Sequence, residues 1–191
     1  MLASQNDVPV QQRPPATIAP SDCPVIAYSD GGCRGNPGGI GGWGLVLLHQ
    51  PSGTALLKRG GAPDTTNNRM ELTAAIEALT ALTRDGTQVE LRSDSQYVIN
   101  AATKWITGWK RNNWRTRSSD DVANADLMRQ LDAQLQRHRV RWTWVRGHSG
   151  EAGNECADQL ANEAMDAIAR DEDPIAERRE RDPFRIVPGH P

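Results

Sequence analysis

The sequence has little of what would place it outside the cell or in a membrane. Its three cysteines, Cys23, Cys33 and Cys156, form no CxxC pair and leave one over, which fits a reducing compartment better than a disulfide-stapled secreted domain. No run approaches the roughly 20 apolar residues of a membrane span. Residues 1–22 lack the basic segment and apolar stretch of a leader, and their single arginine, Arg13, is too few for a transit peptide. The expectation is a soluble, unprocessed, cytoplasmic protein, by default a monomer. An excess of positive charge is also missing: 22 Lys and Arg stand against 24 Asp and Glu, a net charge of −2, with an isoelectric point near 6.1. Any binding of nucleic acid must therefore come from a local concentration of cations.

The 191 residues suit one domain with flexible ends. Residues 1–22 are rich in Pro, Gln and Ala and cannot repay the entropy of ordering, so a disordered arm is expected there. A flexible tail is expected over 170–191, where charges of both signs alternate around Pro174. Between them, residues 23–169 form the domain, and no internal repeat is present. Strands are predicted at Pro24–Tyr28, Gly42–His49 and Thr54–Lys58, the last two joined by the turn Pro51-Ser52-Gly53. A helix follows over Asn68–Arg84, with Leu72, Ile76, Leu79 and Leu82 at helical spacing. Then come a strand at Gln88–Arg92, a helix from Ser95 with a short extra one near Trp105, and a helix over Val122–Arg137. A strand at Val140–Val145 and a helix over Asn154–Ala169 complete the order. The pattern βββαβαβα implies an α/β fold, a mixed sheet with later strands parallel and flanked by helices. Such sheets place their sites at the carboxyl ends of parallel strands.

Four carboxylates stand out. Asp30 and Asp94 each follow an apolar strand where Gly or Ser begins, a place where two acids on one edge can share a cation, although a lone Asp there more often caps a helix or forms a turn. Glu71 lies three residues after Asn68 and so resembles a capping box. At 100° per residue it also borders the buried face of its helix, between Ala78 and Leu82, whereas Glu77 points to water. Asp158 lies at the edge of the face defined by Ala157, Leu160, Ala161, Ala164 and Ile168, while Glu155 and Asp166 are on the opposite side. Each alone has an ordinary structural reading, as a turn former or cap for Asp30 and Asp94, a capping-box acid for Glu71 and a solvated helix acid for Asp158; together they point to an oxygen-donor set suited to Mg2+ or Mn2+ rather than zinc.

Gly39-Ile40-Gly41-Gly42-Trp43-Gly44 matches GxGxxG literally, but the fingerprint must open a helix and Leu45–Leu48 reads as a strand, so a nucleotide cofactor is disfavoured. The glycines are expected to shape a turn and admit a ligand's backbone. His148, in Arg146-Gly147-His148-Ser149-Gly150, sits in a pliable loop suited to proton transfer or product release. It has no partner at zinc-site spacing. From Lys104 to Arg117 five cations (Lys104, Lys110, Arg111, Arg115, Arg117) and three tryptophans (Trp105, Trp109, Trp114) occur without an acid. This is the local patch that phosphates and sugars require, with at least one tryptophan expected to serve in packing.

As a set, these stretches resemble bacterial ribonuclease HI from about Pro24 to Ala169. The matching segments are Ser29 to Gly38, Thr65 to Leu72, Ser93 to Tyr97, Trp105 to Trp114, and Gly147 to Gly150 leading into Asn154 to Asp158. The resemblance implies a ribonuclease H-like five-stranded mixed sheet, its three N-terminal strands antiparallel. It assigns Asp30, Glu71, Asp94 and Asp158 as catalytic carboxylates holding two Mg2+ ions, with Mn2+ as a substitute, and His148 as the histidine that assists catalysis or release. Asn36, Asn67 and Asn68 then face the minor groove of an RNA/DNA hybrid, with Gln96 in the same motif as Asp94, and Thr66 and Asn124 hold a phosphate of the DNA strand. Tyr97 and Trp105 line the channel for that strand, and Lys104 through Arg117, with Trp109, Lys110, Arg111, Trp114 and Arg115, form a basic protrusion. Two departures, Asp64 near the phosphate pocket and Asp120-Asp121 after the protrusion, imply weaker affinity for the DNA strand.

The implied activity is endonucleolytic hydrolysis of the RNA strand of a hybrid, giving 5′-phosphate and 3′-hydroxyl ends. A DNA nuclease or strand-transfer enzyme on the same fold is the nearest rival, disfavoured by the Asn67–Glu71 and Gly147–Gly150 matches. A catalytically silent hybrid-binding module is disfavoured by the presence of all four carboxylates and the histidine.

Overall fold

In the computed structural model, which describes residues 23–184, the chain runs β1 (Val25–Arg34), β2 (Gly39–His49), β3 (Thr54–Thr65), α1 (Asn67–Thr80), β4 (Gln88–Ser93) and α2 (Gln96–Asn100). A π-helical turn (Ala101–Trp105) leads into α3 (Ile106–Arg111), and α4 (Ala125–Arg137), β5 (Arg139–Trp144), α5 (Ala152–Ala169) and β6 (Ala176–Arg181) follow. One sheet of order β5-β4-β1-β2-β3-β6 holds all six strands. β1, β2 and β3 are antiparallel neighbours, β1–β4 and β4–β5 are parallel, and β6 pairs antiparallel with β3.

The sheet is buried on both faces, which is why Leu45–Leu48 of β2 is apolar at every position rather than alternating. Leu45 and Leu47 join the larger core with Leu72, Ile76 and Leu79 of α1 and Leu127, Met128 and Leu131 of α4. Val46 and Leu48 join Leu57, Ala157 and Leu160 in the smaller core beneath α5. Burying a leucine fully, as at Leu72 and Leu79, is worth about 1.5–3 kcal/mol each. The small face of α5 lets it lie unusually close to β2: a side chain at Gly42 or Gly44 would run into the carbonyls of Ala161 and Ala157. The close approach expected at these glycines is therefore made by a helix of the chain itself, and no helix opens there.

The expected mixed α/β architecture is present, with three corrections. The sheet has six strands, because Ala176–Arg181, within the segment expected to be a flexible tail, pairs with β3 from Thr54↔Arg181 to Arg59↔Ala176. Phe184 beyond it packs on the smaller core. β1 does not stop near Asp30 but stays paired with β2 as far as Arg34↔Ile40. The cap of α1 is Thr66, whose side chain accepts from the Arg69 N–H; Asn68 lies inside the helix and Glu71 is no part of a capping box. The arm expected over 1–22 and the end of the tail, 185–191, lie outside the described residues. No helix among the described residues is long and apolar enough to cross a membrane.

Candidate active site

β1 and β4 run side by side in parallel from Val25↔Val89 to Tyr28↔Arg92. Two residues beyond that last pair stand Asp30, still within β1, and Asp94, just past the end of β4, so identical offsets carry both acids to the same end of the parallel pair. Asp30 lies where β1 has lost β4 but keeps β2, with Gly44 opposite. The third acid comes from α1. Gly31 has no Cβ, and any side chain there would strike the backbone of Met70 and Glu71; the first turns of α1 thus rest directly on β1. Oxygen atoms of Asp30, Glu71 and Asp94 lie within 4.8 Å of one another.

Burial raises the proton affinity of Asp30 and Glu71, and the neighbouring acids add to it. Asp30 is pushed up from 3.8 to about 7, first by burial, then by Asp94 and Asp158, while the Gly31 N–H works in the opposite direction. That amide donates to Asp30 Oδ1 at 2.7 Å. Glu71 is pushed up from 4.5 to about 9, first by burial, then by Asp30 and Asp94, and its Oε2 is buried without a hydrogen-bond partner among the described residues. A buried, unsatisfied carboxylate facing two further acids is costly in its ionised form unless a cation sits among them. The donor set therefore fits a hard divalent ion of the Mg2+ or Mn2+ kind.

Asp158 on α5 stands apart from this trio. Its carboxylate accepts from Asn162 Nδ2 at 3.1 Å, yet it is near enough to raise Asp30 electrostatically. The loop from β5 to α5 closes another side. Gly147 passes so near Asp94 that an added Cβ would collide with Oδ2, and the next residue, His148, is exposed with φ 51°. The loop is braced: Ser149 donates to the Arg146 carbonyl at 2.6 Å, and the Gly150 N–H to Glu155 Oε1 at 2.9 Å. Behind the acids, Tyr28 donates to Glu151 Oε1 at 2.6 Å and Arg92 donates to both the Tyr28 hydroxyl and Glu151. This network, unanticipated from the sequence, ties the residue that opens α5 to β1 and β4.

The surface expected to meet nucleic acid extends to both sides. Asn36, exposed in the β1–β2 turn, accepts from the Asn67 N–H at 3.2 Å, and Thr66, Asn67 and the exposed Asn68 surround the start of α1. Asn124, with φ 55°, donates to the Tyr97 hydroxyl at 3.1 Å and accepts from Arg69 at 3.4 Å, joining the α1 end to the aromatic residues. Tyr97 meets Trp105 edge-on at 5.7 Å between ring centres, and Trp105 meets Trp109 at 5.6 Å. A groove of about 280 Å³ is lined by these three rings with Thr116, Val122 and Ala123. Trp105, Trp109 and Trp114 all pack in part on the larger core. Gln96 is exposed at the start of α2.

The cations of the protrusion differ in freedom. Lys110 is held by Asp132 at 2.7 Å and Arg115 donates to the Ser119 carbonyl at 2.9 Å, whereas Lys104, Arg111 and Arg117 are exposed and pair with no acid among the described residues. Asp64 is exposed, and Asp120 and Asp121 close the 115–121 loop through Thr116 and an isolated bridge to Arg115. Trp144, not marked out by its sequence context as a site residue, is 52% exposed and donates its indole N–H to the Asp94 carbonyl at 3.2 Å. The alternation Trp142-Thr143-Trp144 running into Arg146-Gly147-His148 was its available signal.

Comparison with known proteins matches residues 22–166 to the RNase H family. A ribonuclease H of Alkalilimnicola ehrlichii is 58% identical over 144 residues, 75% of this chain and 96% of the relative. A ribonuclease HI of Pseudomonas aeruginosa is 52% identical over 146 residues, 76% of this chain and 96% of the relative. Among solved structures, LC9-RNase H1, a type 1 RNase H with the type 2 active-site motif, superposes with a TM-score of 0.69 at 33% identity, covering 76% of this chain and 74% of that one.

Proposed function

The chain belongs to the ribonuclease H family, among its bacterial type HI members, and from that premise we propose that it cuts the RNA strand of RNA/DNA hybrids internally, by two-metal-ion hydrolysis leaving 5′-phosphate and 3′-hydroxyl ends. The observation that carries this reading is the convergence of Asp30, Glu71 and Asp94 within 4.8 Å, just beyond the parallel pairing of β1 with β4. Divalent metal dependence follows from the family; Mg2+, with Mn2+ as substitute, is our assignment. Asp30, Glu71 and Asp94 would hold one ion, and Asp30 with Asp158 the second. When bound, such ions activate a water and neutralise charge on the leaving 3′ oxygen.

The protein's own part is positioning and proton handling. Gly31 and the parallel pairing of β1 with β4 fix the three acids to rigid elements, so little reorganisation accompanies reaction. His148, next to the residue that touches Asp94, would take up or deliver a proton at the leaving group or assist release of the product. Asn36, Asn67, Asn68 and Gln96 supply donors and acceptors for 2′-hydroxyls and the minor groove, the feature by which RNA is told from DNA. Thr66 and Asn124 would hold a DNA-strand phosphate. Tyr97, Trp105 and Trp109 would meet that strand's sugars, and Lys104, Lys110, Arg111, Trp114 and Arg115 the backbone beyond.

The test is cleavage of end-labelled RNA/DNA, RNA/RNA, DNA/DNA and single-stranded RNA, with Mg2+ and with EDTA. Internal cuts confined to the RNA of the hybrid and abolished by EDTA are expected. Cutting of DNA duplex would move the protein to a DNA-directed chemistry, and tight hybrid binding without cleavage in Mg2+ or Mn2+ would leave a binding module.

A further inference from the structure

We propose that Trp144 is a contact for the cut strand, its indole face lying against a ribose close to the phosphate that reacts; this rests on the hybrid-cleaving reading above. Trp144 and Ile175 are the large apolar side chains left exposed among the described residues, and of the two only Trp144 borders the acids. Its partner of the same parity on β5, Trp142, packs in part on the larger core, whereas Trp144 lies just past the cover of that core. Its indole N–H is bonded to the Asp94 carbonyl at 3.2 Å. The polar atom of the ring is thus already satisfied, and what remains for a partner is an apolar face fixed to the backbone of a metal-cluster residue.

The chemistry of that partner follows from its position. The phosphate that is cut must lie at the Asp30–Glu71–Asp94 cluster, so a ring bonded to Asp94's own carbonyl meets the strand that carries this phosphate. In a duplex the bases are paired and stacked on one another, and a side chain at a groove meets sugars and phosphates. An aromatic face suits the C–H side of a ribose and tolerates any sequence. Two residues on, Arg146 is exposed and pairs with no acid among the described residues, a cation for the adjoining phosphate. This places an aromatic contact on the side of the acids formed by β5, separate from the Tyr97–Trp105–Trp109 groove.

The experiment compares the wild-type protein with Trp144→Ala, Trp144→Leu and Trp144→Phe in two assays: steady-state cleavage of a hybrid in Mg2+, and equilibrium binding of the same hybrid without divalent ions, with thermal melting as the check of folding. Loss of an aromatic nucleic-acid contact predicts KM and Kd raised about tenfold in the Ala and Leu variants, with kcat within about twofold and most of the affinity restored by Phe. Unchanged KM and Kd in variants that melt like the wild type would overturn the proposal. So would a fall in kcat at constant KM, which would make Trp144 a support for Asp94's backbone, or full rescue by Leu, which would remove the role of the ring. A wild-type protein that binds the hybrid but does not cut it would strike the catalytic reading alone, since the Kd comparison still decides Trp144. A wild-type protein that does not bind it would overturn both.

Discussion

The main-chain nitrogen of Glu71 lies against the α-carbon of Gly31 so closely that a methyl group on that carbon would overlap it. No flexible side chain is available to yield there, because the atoms met are the backbone of Met70 and Glu71. Gly31→Ala should therefore lift the start of α1 from β1, carrying Glu71 away from Asp30 and Asp94. We expect cleavage to fall at least a hundredfold and stability by about 1–3 kcal/mol, the usual cost of overpacking. Thermal melting together with kcat measures both, and a variant of normal activity would show that Glu71 need not be held this rigidly.

Without cations Asp30 and Glu71 make stability depend on pH. Asp30 and Glu71 have folded-state pKa values of about 7 and about 9, raised above their ordinary values of 3.8 and 4.5. Their contribution is fully present below the ordinary values and is lost as pH rises through 7 and then 9. The metal-free protein should accordingly lose Tm between pH 5 and pH 9, and added Mg2+ should raise Tm more at pH 8.5 than at pH 5.5. Asp30→Asn removes one charge at nearly constant shape. It should raise the metal-free Tm at pH 8 by a few degrees while abolishing most cleavage, an outcome read by calorimetry with and without EDTA.

How much of this was legible in the sequence differs by residue. Asp30 and Asp94 were visible as acids ending apolar stretches, and Glu71 as an acid on the rim of a buried helical face, because strand and helix periodicities are local. What joins them is not local. The parallel register Tyr28↔Arg92 and the contact at Gly31 with Glu71 depend on partners 64 and 40 residues away in the chain. The full length of β1 was hidden because Gly31, Gly32 and Gly35 read as a break, whereas pairing with β2 holds the strand to Arg34. β6 was hidden more completely. Ala176–Arg181 carries almost no apolar residue, as an outermost strand can when charge discourages further pairing, so hydrophobic alternation gave no sign of it.

That strand carries a prediction of its own. β6 covers the edge of β3, and Phe184 packs on the smaller core with Leu48, Leu57 and Leu160, on the side of the sheet where α5 holds Asp158. Phe184→Ala should lower stability by about 1–3 kcal/mol, less than loss of a fully enclosed phenylalanine. Because the residue is remote from the Asp30–Glu71–Asp94 cluster, kcat measured well below Tm should stay within about twofold of the wild type. A large loss of kcat at unchanged Tm would mean that the C-terminal segment reaches the site through α5.

Asp132 restrains one cation of the protrusion. Its carboxylate holds Lys110 at 2.7 Å and is the more enclosed partner, 17% exposed against 48% for the lysine; its other bond is from Gln136. A lysine engaged in this way offers less to a phosphate, since contact with nucleic acid must compete with the internal pair. Asp132→Asn leaves the shape and Gln136 in place but removes the negative charge. With Lys104 and Arg111 already unpaired on the same surface, a third free cation should tighten hybrid binding and steepen the fall of affinity with salt by roughly one further counterion released. Exposed ion pairs contribute about 0–1 kcal/mol, so Tm should change little. Binding titrations across a salt series separate the outcomes: a steeper slope places Lys110 on the phosphate path, and an unchanged slope with unchanged affinity assigns it to bracing α3 against α4.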